Sequence, residues 1–248
     1  MIIFNGYDFS EDIKILDVKR SILPPSILTS SNIMGRSGAF LFYKQFGAQN
    51  IPVTIMLIEK NKVLFRQKVR SLAEKLDTDK PAQLIFSDES DKYINAIISD
   101  SSELDEIAMS GKGVINFFCP DPYWYAIQDD IINGTKSGLY EFVRKGTAES
   151  YPMIEIQGIN VSGSINIKNE TSSITFTDKL KTGETLYLDS DLITSYILNS
   201  VGETRSVMDK LDNLDFPVLK KGLNKLTITT SGGAIVSKIK ITCRSRWK

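Results

Sequence analysis

One stretch constrains the fold of this chain more than any other: residues 113–126, Gly-Val-Ile-Asn-Phe-Phe-Cys-Pro-Asp-Pro-Tyr-Trp-Tyr-Ala. Val114, Asn116 and Phe118 alternate with Ile115, Phe117 and Cys119, so a strand here carries bulk on both faces and is expected to be well buried. Pro120 and Pro122 stop it, because proline has no N–H to give to a ladder. Tyr123, Trp124 and Tyr125 follow at once, and three aromatics just past a strand end need a surface to lie on. The stretch reads as the last strand of one domain. Pro120, Pro122, Tyr123, Trp124 and Tyr125 then form a latch that holds a second.

Upstream, the pattern is of strands around one helix. Asn5-Gly6 is a hairpin dipeptide after a short strand at 2–4, and 13–19 reads as the next strand. Ile51, Val53, Ile55 and Leu57 alternate over 51–59. Asn61 then offers an N-cap to a helix ending near Leu76, whose apolar stripe is Phe65, Val69, Leu72 and Leu76. Short strands are expected at 83–86 and 93–99. A further strand at 104–109 is expected to pair with 114–119 through a turn at 110–113. One helix among several strands makes this a sandwich-like α+β domain.

The segment 24–50 does not fit that pattern. It is long for a loop without structure, and it sets Phe40, Phe42, Tyr43 and Phe46 among Gly, Ser and Gln. It reads as a projecting β-hairpin. Alternation puts Phe40 and Phe42 on one side and Leu41 and Tyr43 on the other. A lone two-stranded ribbon is at best marginally stable in water, so these four aromatics are the candidate self-association residues.

Gly, Asn and Ser signals concentrate at 133–151, with Pro152 just beyond, and the stretch reads as a linker between a first domain at 1–132 and a second at 152–248. Beyond it, period-2 pairs recur at Ile154/Ile156, Ile165/Ile167, Ile174/Phe176, Leu186/Leu188, Leu226/Ile228 and Ile239/Ile241, separated by turn residues. That spacing predicts an antiparallel β-sandwich, with 192–219 holding a strand and a long loop.

Composition removes several kinds of chemistry. The 248 residues include no histidine, which excludes His-based triads and most catalytic zinc sites. The 30 basic residues balance 30 acidic ones, so nothing points to nucleic-acid recognition. Asp77/Asp79, Asp88/Glu89/Asp91 and Asp189/Asp191 fall in expected turns and lack the spacing of a calcium loop. Cys119 and Cys243 each lie in an expected strand and read as buried free thiols. The start, Met1-Ile2-Ile3-Phe4, meets Asn5 and Asp8 before an apolar core builds up, so no export signal or membrane span is expected, and folding in the cytoplasm is. No cofactor and no metal is expected. Trp247, Tyr187 and Tyr196 are the aromatics a sugar site in the second domain would need, and a carbohydrate-binding adhesin module is the alternative reading.

Three segments carry a resemblance. They are Ile2-Ile3-Phe4-Asn5-Gly6-Tyr7-Asp8, then Gly35-Arg36-Ser37-Gly38 ahead of Ile51-Pro52-Val53-Thr54-Ile55, and the Phe-Phe-Cys-Pro-Asp-Pro-Tyr-Trp-Tyr run ending at Tyr125. Together they resemble the distal tail proteins of phages with long, non-contractile tails that infect Gram-positive bacteria. The resemblance implies a mainly β chain of two domains: a β-sandwich with one helix and a projecting hairpin, then a galectin-like antiparallel sandwich. It implies a structural, non-catalytic virion protein, made in the host cytoplasm and ending at the tail tip. Its partners would be five further copies in a homohexameric ring, the tail tube protein, a tail-associated lysin or baseplate hub and, through the second domain, a receptor-binding protein. The ring would leave a passage for DNA.

Overall fold

The computed structural model describes residues 1–99 and 110–248, together with the backbone of 104–107. The chain is mainly β and divides into two compact units, one spanning 1–127 with Lys248 and the other 128–247.

The first unit is built from β1 (Ile2–Phe4), β2 (Tyr7–Asp8), β3 (Lys14–Val18), β4 (Ser26–Asn32), β5 (Ala39–Phe46), β6 (Gln49–Ile58), α1 (Lys62–Leu76), β7 (Ala82–Phe86), β8 (Lys92–Ile98), β9 (Leu104–Ile107), β10 (Ser110–Cys119) and β11 (Trp124–Ala126). Its main sheet runs β2-β1-β7-β8-β10-β6-β3, with β9 added to β10 and β11 to β8. The helix starts where expected, since Asn61 Oδ1 accepts from the Leu64 N–H at 2.9 Å. Phe65, Leu72 and Leu76 pack into one core with Ile2 and Phe4 of β1, Ile51 to Leu57 at alternate positions of β6, and Leu84 and Ile94. The helix stripe and the strand period thus meet on the same side of the sheet.

Two sequence expectations fail in this unit. Residues 110–113 are not a turn: Ser110↔Ile107 and Gly113↔Leu104 pair as strand, and residues 108–109 lie outside the described residues. Gly111 and Gly113 read as turn residues, but the ladder to β6 continues through both as Gly111↔Leu57 and Gly113↔Ile55. β10 is also not buried on both faces. Ile115, Phe117 and Cys119 enter the core, whereas Val114 is 38% exposed and Phe118 is half-buried.

The second unit begins with β12 (Asp130–Gly134) and β13 (Gly138–Arg144), followed by β14 (Met153–Ile159), β15 (Ser164–Lys168), β16 (Ser173–Phe176), β17 (Thr185–Asp189), β18 (Thr194–Leu198), β19 (Thr204–Ser206), β20 (Gly222–Ser231) and β21 (Ile235–Cys243). The linker at 133–151 is therefore corrected, along with the boundaries at 132 and 152. β12 pairs with β21 and β13 pairs with β20, in two different sheets. Residues 135–137 carry the chain from one sheet to the other; the Asn-Gly and Ser-Gly signals there mark that corner and not a tether. The sheets β12-β21-β14-β17-β18-β19 and β13-β20-β15-β16 share one core that includes Ile154, Ile156, Ile165, Phe176, Leu186, Leu226, Ile228 and Ile239. The segment expected to hold one strand and a loop forms two short strands, β18 and β19, before its loop. Cys119 and Cys243 are free and buried.

Arg144 is a feature that the sequence pattern does not announce. It is only 2% exposed. Its Nη1 donates to the carbonyls of Ala148 at 3.2 Å and Leu219 at 2.8 Å, and its Nη2 donates to Ser150 Oγ. Burial holds the guanidinium pKa below its ordinary value. The group ties the 145–150 segment to the strand exchange between Ser150 and Leu219, whose backbones bond reciprocally at 2.9 and 2.8 Å.

Candidate assembly interface

β4 and β5 form a hairpin that, among the described residues, pairs with no other strand. Its base is closed by the Gly47 N–H donating to Pro25 O at 2.8 Å. Its tip turns through Gly35 and Gly38 at φ +79° and +89°, where a side chain would be strained. Nearly every residue of both strands is exposed. Phe40, Phe42 and Tyr43 are 54%, 60% and 52% exposed, and Ile27, Leu28 and Leu41 are similarly open. Apolar side chains in that number, on a ribbon with no second layer, mark an interaction site.

The ladder departs from simple alternation. Thr29 lies opposite Tyr43 and Ser30 opposite Leu41, so Phe42 is the extra residue of a β-bulge. Residues directly opposite share a face. Ser31 and Thr29 lie on one face of β4, which places Phe40 (opposite Ser31) on the same face as Tyr43. The Phe42 ring meets the Phe40 ring edge-on at 5.5 Å, so it lies there too. The expectation that Tyr43 faces away from Phe40 and Phe42 is thus corrected. The bulge gathers Phe40, Phe42, Tyr43 and Ile27 on one side. Phe46 stands apart: it is half-buried and its ring packs at 6.4 Å against Tyr123.

The residues expected to form a latch have these places within the first unit. Trp124 is half-buried and leans on Phe86 with centroids 5.9 Å apart. Tyr125 stacks on Tyr93 at 5.7 Å as β11 pairs with β8. Pro122 O accepts from the buried Gln49 Nε2 at 3.1 Å. Asp121, which sequence reasoning passed over, orders the run: its carboxylate accepts from the Tyr123 N–H at 3.1 Å and from the Tyr125 hydroxyl. Its position between two prolines and two residues before Tyr123 is the local signal for such an Asx turn.

Of the acidic turn clusters, Asp88/Glu89/Asp91 is engaged in ordinary ion pairs, whereas Asp189 Oδ1 accepts from the N–H groups of Asp191 and Leu192 in its own turn. Asp88 pairs with Arg20, which holds its carboxyl below the usual range, and Glu89 Oε1 accepts from Lys92 Nζ at 2.9 Å. Among the described residues no group of three or more His, Cys, Asp or Glu is placed to hold a metal ion. Among the described residues no helix is long and apolar enough to cross a membrane. Tyr187 and Tyr196 stack on each other across β17 and β18, 4.9 Å apart and 8° from parallel.

Comparison with known proteins agrees with this geometry. Residues 10–119 match the family model of the phage tail protein RIFT-related domain, a span that contains the hairpin, the helix and β10. No curated protein matches the chain. Among solved structures, it is similar over 100% of its length to 98% of the Dit protein (gp 19.1) of phage SPP1, described as a paradigm of the hub adsorption apparatus in Gram-positive infecting phages, with a TM-score of 0.82 at 15% identity. A chain of the phage P2 baseplate in its activated conformation with Ca gives a TM-score of 0.49 at 10% identity, over 98% of this chain and 97% of that one. Residues 10–119, most of the first unit, thus match a phage tail domain, and the chain as a whole shares the fold of that Dit protein.

Proposed function

We propose that the chain is the structural hub at the distal end of a siphophage tail, where copies of it close into a ring through the β4–β5 hairpin. The observation that carries this is the hairpin itself: an apolar ribbon, open on both faces, inside a domain that matches a phage tail family. The role is assembly and not catalysis. Six copies would surround a passage for DNA. One ring face would meet the tail tube protein and the other a tail-associated lysin or baseplate hub, leaving the second unit to hold a receptor-binding protein. The protein would be made in the host cytoplasm and end in the virion tail tip. Its zero net charge supports a passage without sequence-specific DNA contacts.

The test is replacement of Ala39–Gln45 by a short Gly/Ser turn, with molar mass measured by light scattering. The expected result is a ring from the intact chain and a folded monomer from the replacement. A replacement that assembles like the intact chain removes the hairpin from the interface.

A further inference from the structure

A sheet ends in strands that lack a neighbour on one side, and the second unit treats its four edges differently. The edge of β16 is capped by the loop at 210–215. The Thr175 N–H donates to Asp212 Oδ1 at 2.7 Å, the Ser173 N–H to Asp215 Oδ2 at 3.0 Å, and the Asp212 N–H returns a bond to Thr175 O at 3.0 Å. β19 is cut to three residues and β12 to five. β13 is the end strand of its sheet, seven residues long, and pairs with β20 at every one of them without a bulge. Alternate residues of an antiparallel strand turn their N–H and C=O to one neighbour, and those between turn theirs away. Among the described residues no strand or loop bonds the away-facing backbone of β13. The devices that blunt an edge are missing as well. Gly138–Arg144 holds no Pro and no Lys, and its one cation, Arg144, is buried. Both sides of this edge are apolar. Leu139 and Val143 stand on the outer face, 56% and 69% exposed, with Leu223 opposite Val143. Tyr140 and Phe142 pack on the core yet stay half-buried. Glu141 stands between Leu139 and Val143 and pairs with Lys225 at 2.9 Å.

We propose that the open edge of β13 takes an extended segment of a different protein as an added strand. This rests on the reading of the second unit as the one that holds a partner, and it names the strand and the kind of segment. The backbone decides what fits. A row of N–H and C=O groups at a two-residue repeat is matched by another extended backbone. Seven residues give a seat about 23 Å long. Charge decides against a second copy. Antiparallel pairing of β13 with itself over all seven residues places Glu141 opposite Glu141 of the other copy, and like charges directly opposite are destabilising. A foreign segment with Lys or Arg at that position turns the repulsion into attraction. Its neighbours on the same face then lie beside Leu139 and Val143, and the residues between them face Tyr140 and Phe142. The segment therefore carries apolar side chains on both faces around one basic residue. β20 already presents this pattern to the other side of β13, with Lys225 opposite Glu141, Leu223 opposite Val143 and Leu226 opposite Tyr140.

A peptide copying Gly222–Ser231, acetylated and amidated, is therefore a fitting probe. Dye-labelled and titrated with the full chain, it is expected to bind saturably by fluorescence anisotropy, whereas a peptide of the same composition in scrambled order is not. Val143→Lys in the chain, which puts a solvated charge on the edge, and Lys225→Glu in the peptide, which opposes Glu141, should each weaken binding about tenfold. N-methylation of alternate peptide amides leaves the chain native. It should abolish binding for one set of positions and spare it for the other, because only one set faces β13. A native chain that ignores the peptide, binds the scrambled one equally, or treats both N-methylated sets alike overturns strand addition. So does a Val143→Lys chain of unchanged melting curve that binds like the native one. Those results leave the hub reading standing, because light scattering of the Ala39–Gln45 replacement tests that reading without the peptide.

Discussion

Removing the buried cation at position 144 separates two opposing energies. In Arg144→Met the side chain keeps its length and loses three charge-assisted hydrogen bonds, to Ala148 O, Leu219 O and Ser150 Oγ. Bonds from a charged donor contribute about 1.5–3 kcal/mol each. Against them stands the cost of burying a guanidinium whose Nε has no partner among the described residues, which is several kcal/mol. The acceptors are not equivalent once the cation is gone. Leu219 O still receives the Ser150 N–H at 2.9 Å and the Ser150 hydroxyl can rotate, whereas Ala148 O is left without its donor. A stranded buried carbonyl costs about 1–3 kcal/mol. The net expectation is a loss of about 2–4 kcal/mol, or a fall on the order of 10 °C in the melting of the second unit, read by calorimetry. Arg144→Lys keeps the charge but not the fork, and is expected to lose at least as much. An Arg144→Met protein as stable as the native one, or more so, would refute the reasoning. It would show that desolvation outweighs the bonds.

Three further outcomes follow from the local geometry. Asn61→Ala removes the acceptor for the Leu64 N–H and should cost about 1 kcal/mol in denaturant unfolding, with no change in assembly. Trp124→Ala should cost roughly 2 kcal/mol, about half the loss for a fully buried aromatic, because Trp124 is half-buried against Phe86; a loss near zero would mean that the packing on Phe86 contributes nothing. Burial pushes the thiol of Cys119 up to about 12 and that of Cys243 up to about 11, so neither should react with a thiol reagent at pH 8 until the chain is unfolded. Both folded values lie above the ordinary thiol value of 9.0, so the stability they confer is complete below pH 9 and is lost as the pH rises through about 11–12, measurable as a falling melting temperature.

Much of the chain's organisation is legible in its sequence because it is local. The period of 3.6 between Phe65, Val69, Leu72 and Leu76 and the cap at Asn61 define the helix, and period-2 runs define the strands. The missing histidine and the ordinary turn chemistry of the acidic clusters are likewise properties of residues and their neighbours. What the sequence could not decide depends on partners far along the chain. Glycines at 111 and 113 signal a turn, yet they continue a ladder because β6 lies alongside. Asn133-Gly134 signals a linker, yet it ends a strand held by β21, more than a hundred residues on. Alternation separates Phe42 from Tyr43, but pairing of β5 with β4 inserts a bulge that turns both to one side. The apolar outer residues of β10 read as a second buried face; only the packed structure shows that Val114 is 38% exposed there. Periodicity records which residues avoid water, whereas tertiary structure decides whether their cover comes from the same chain.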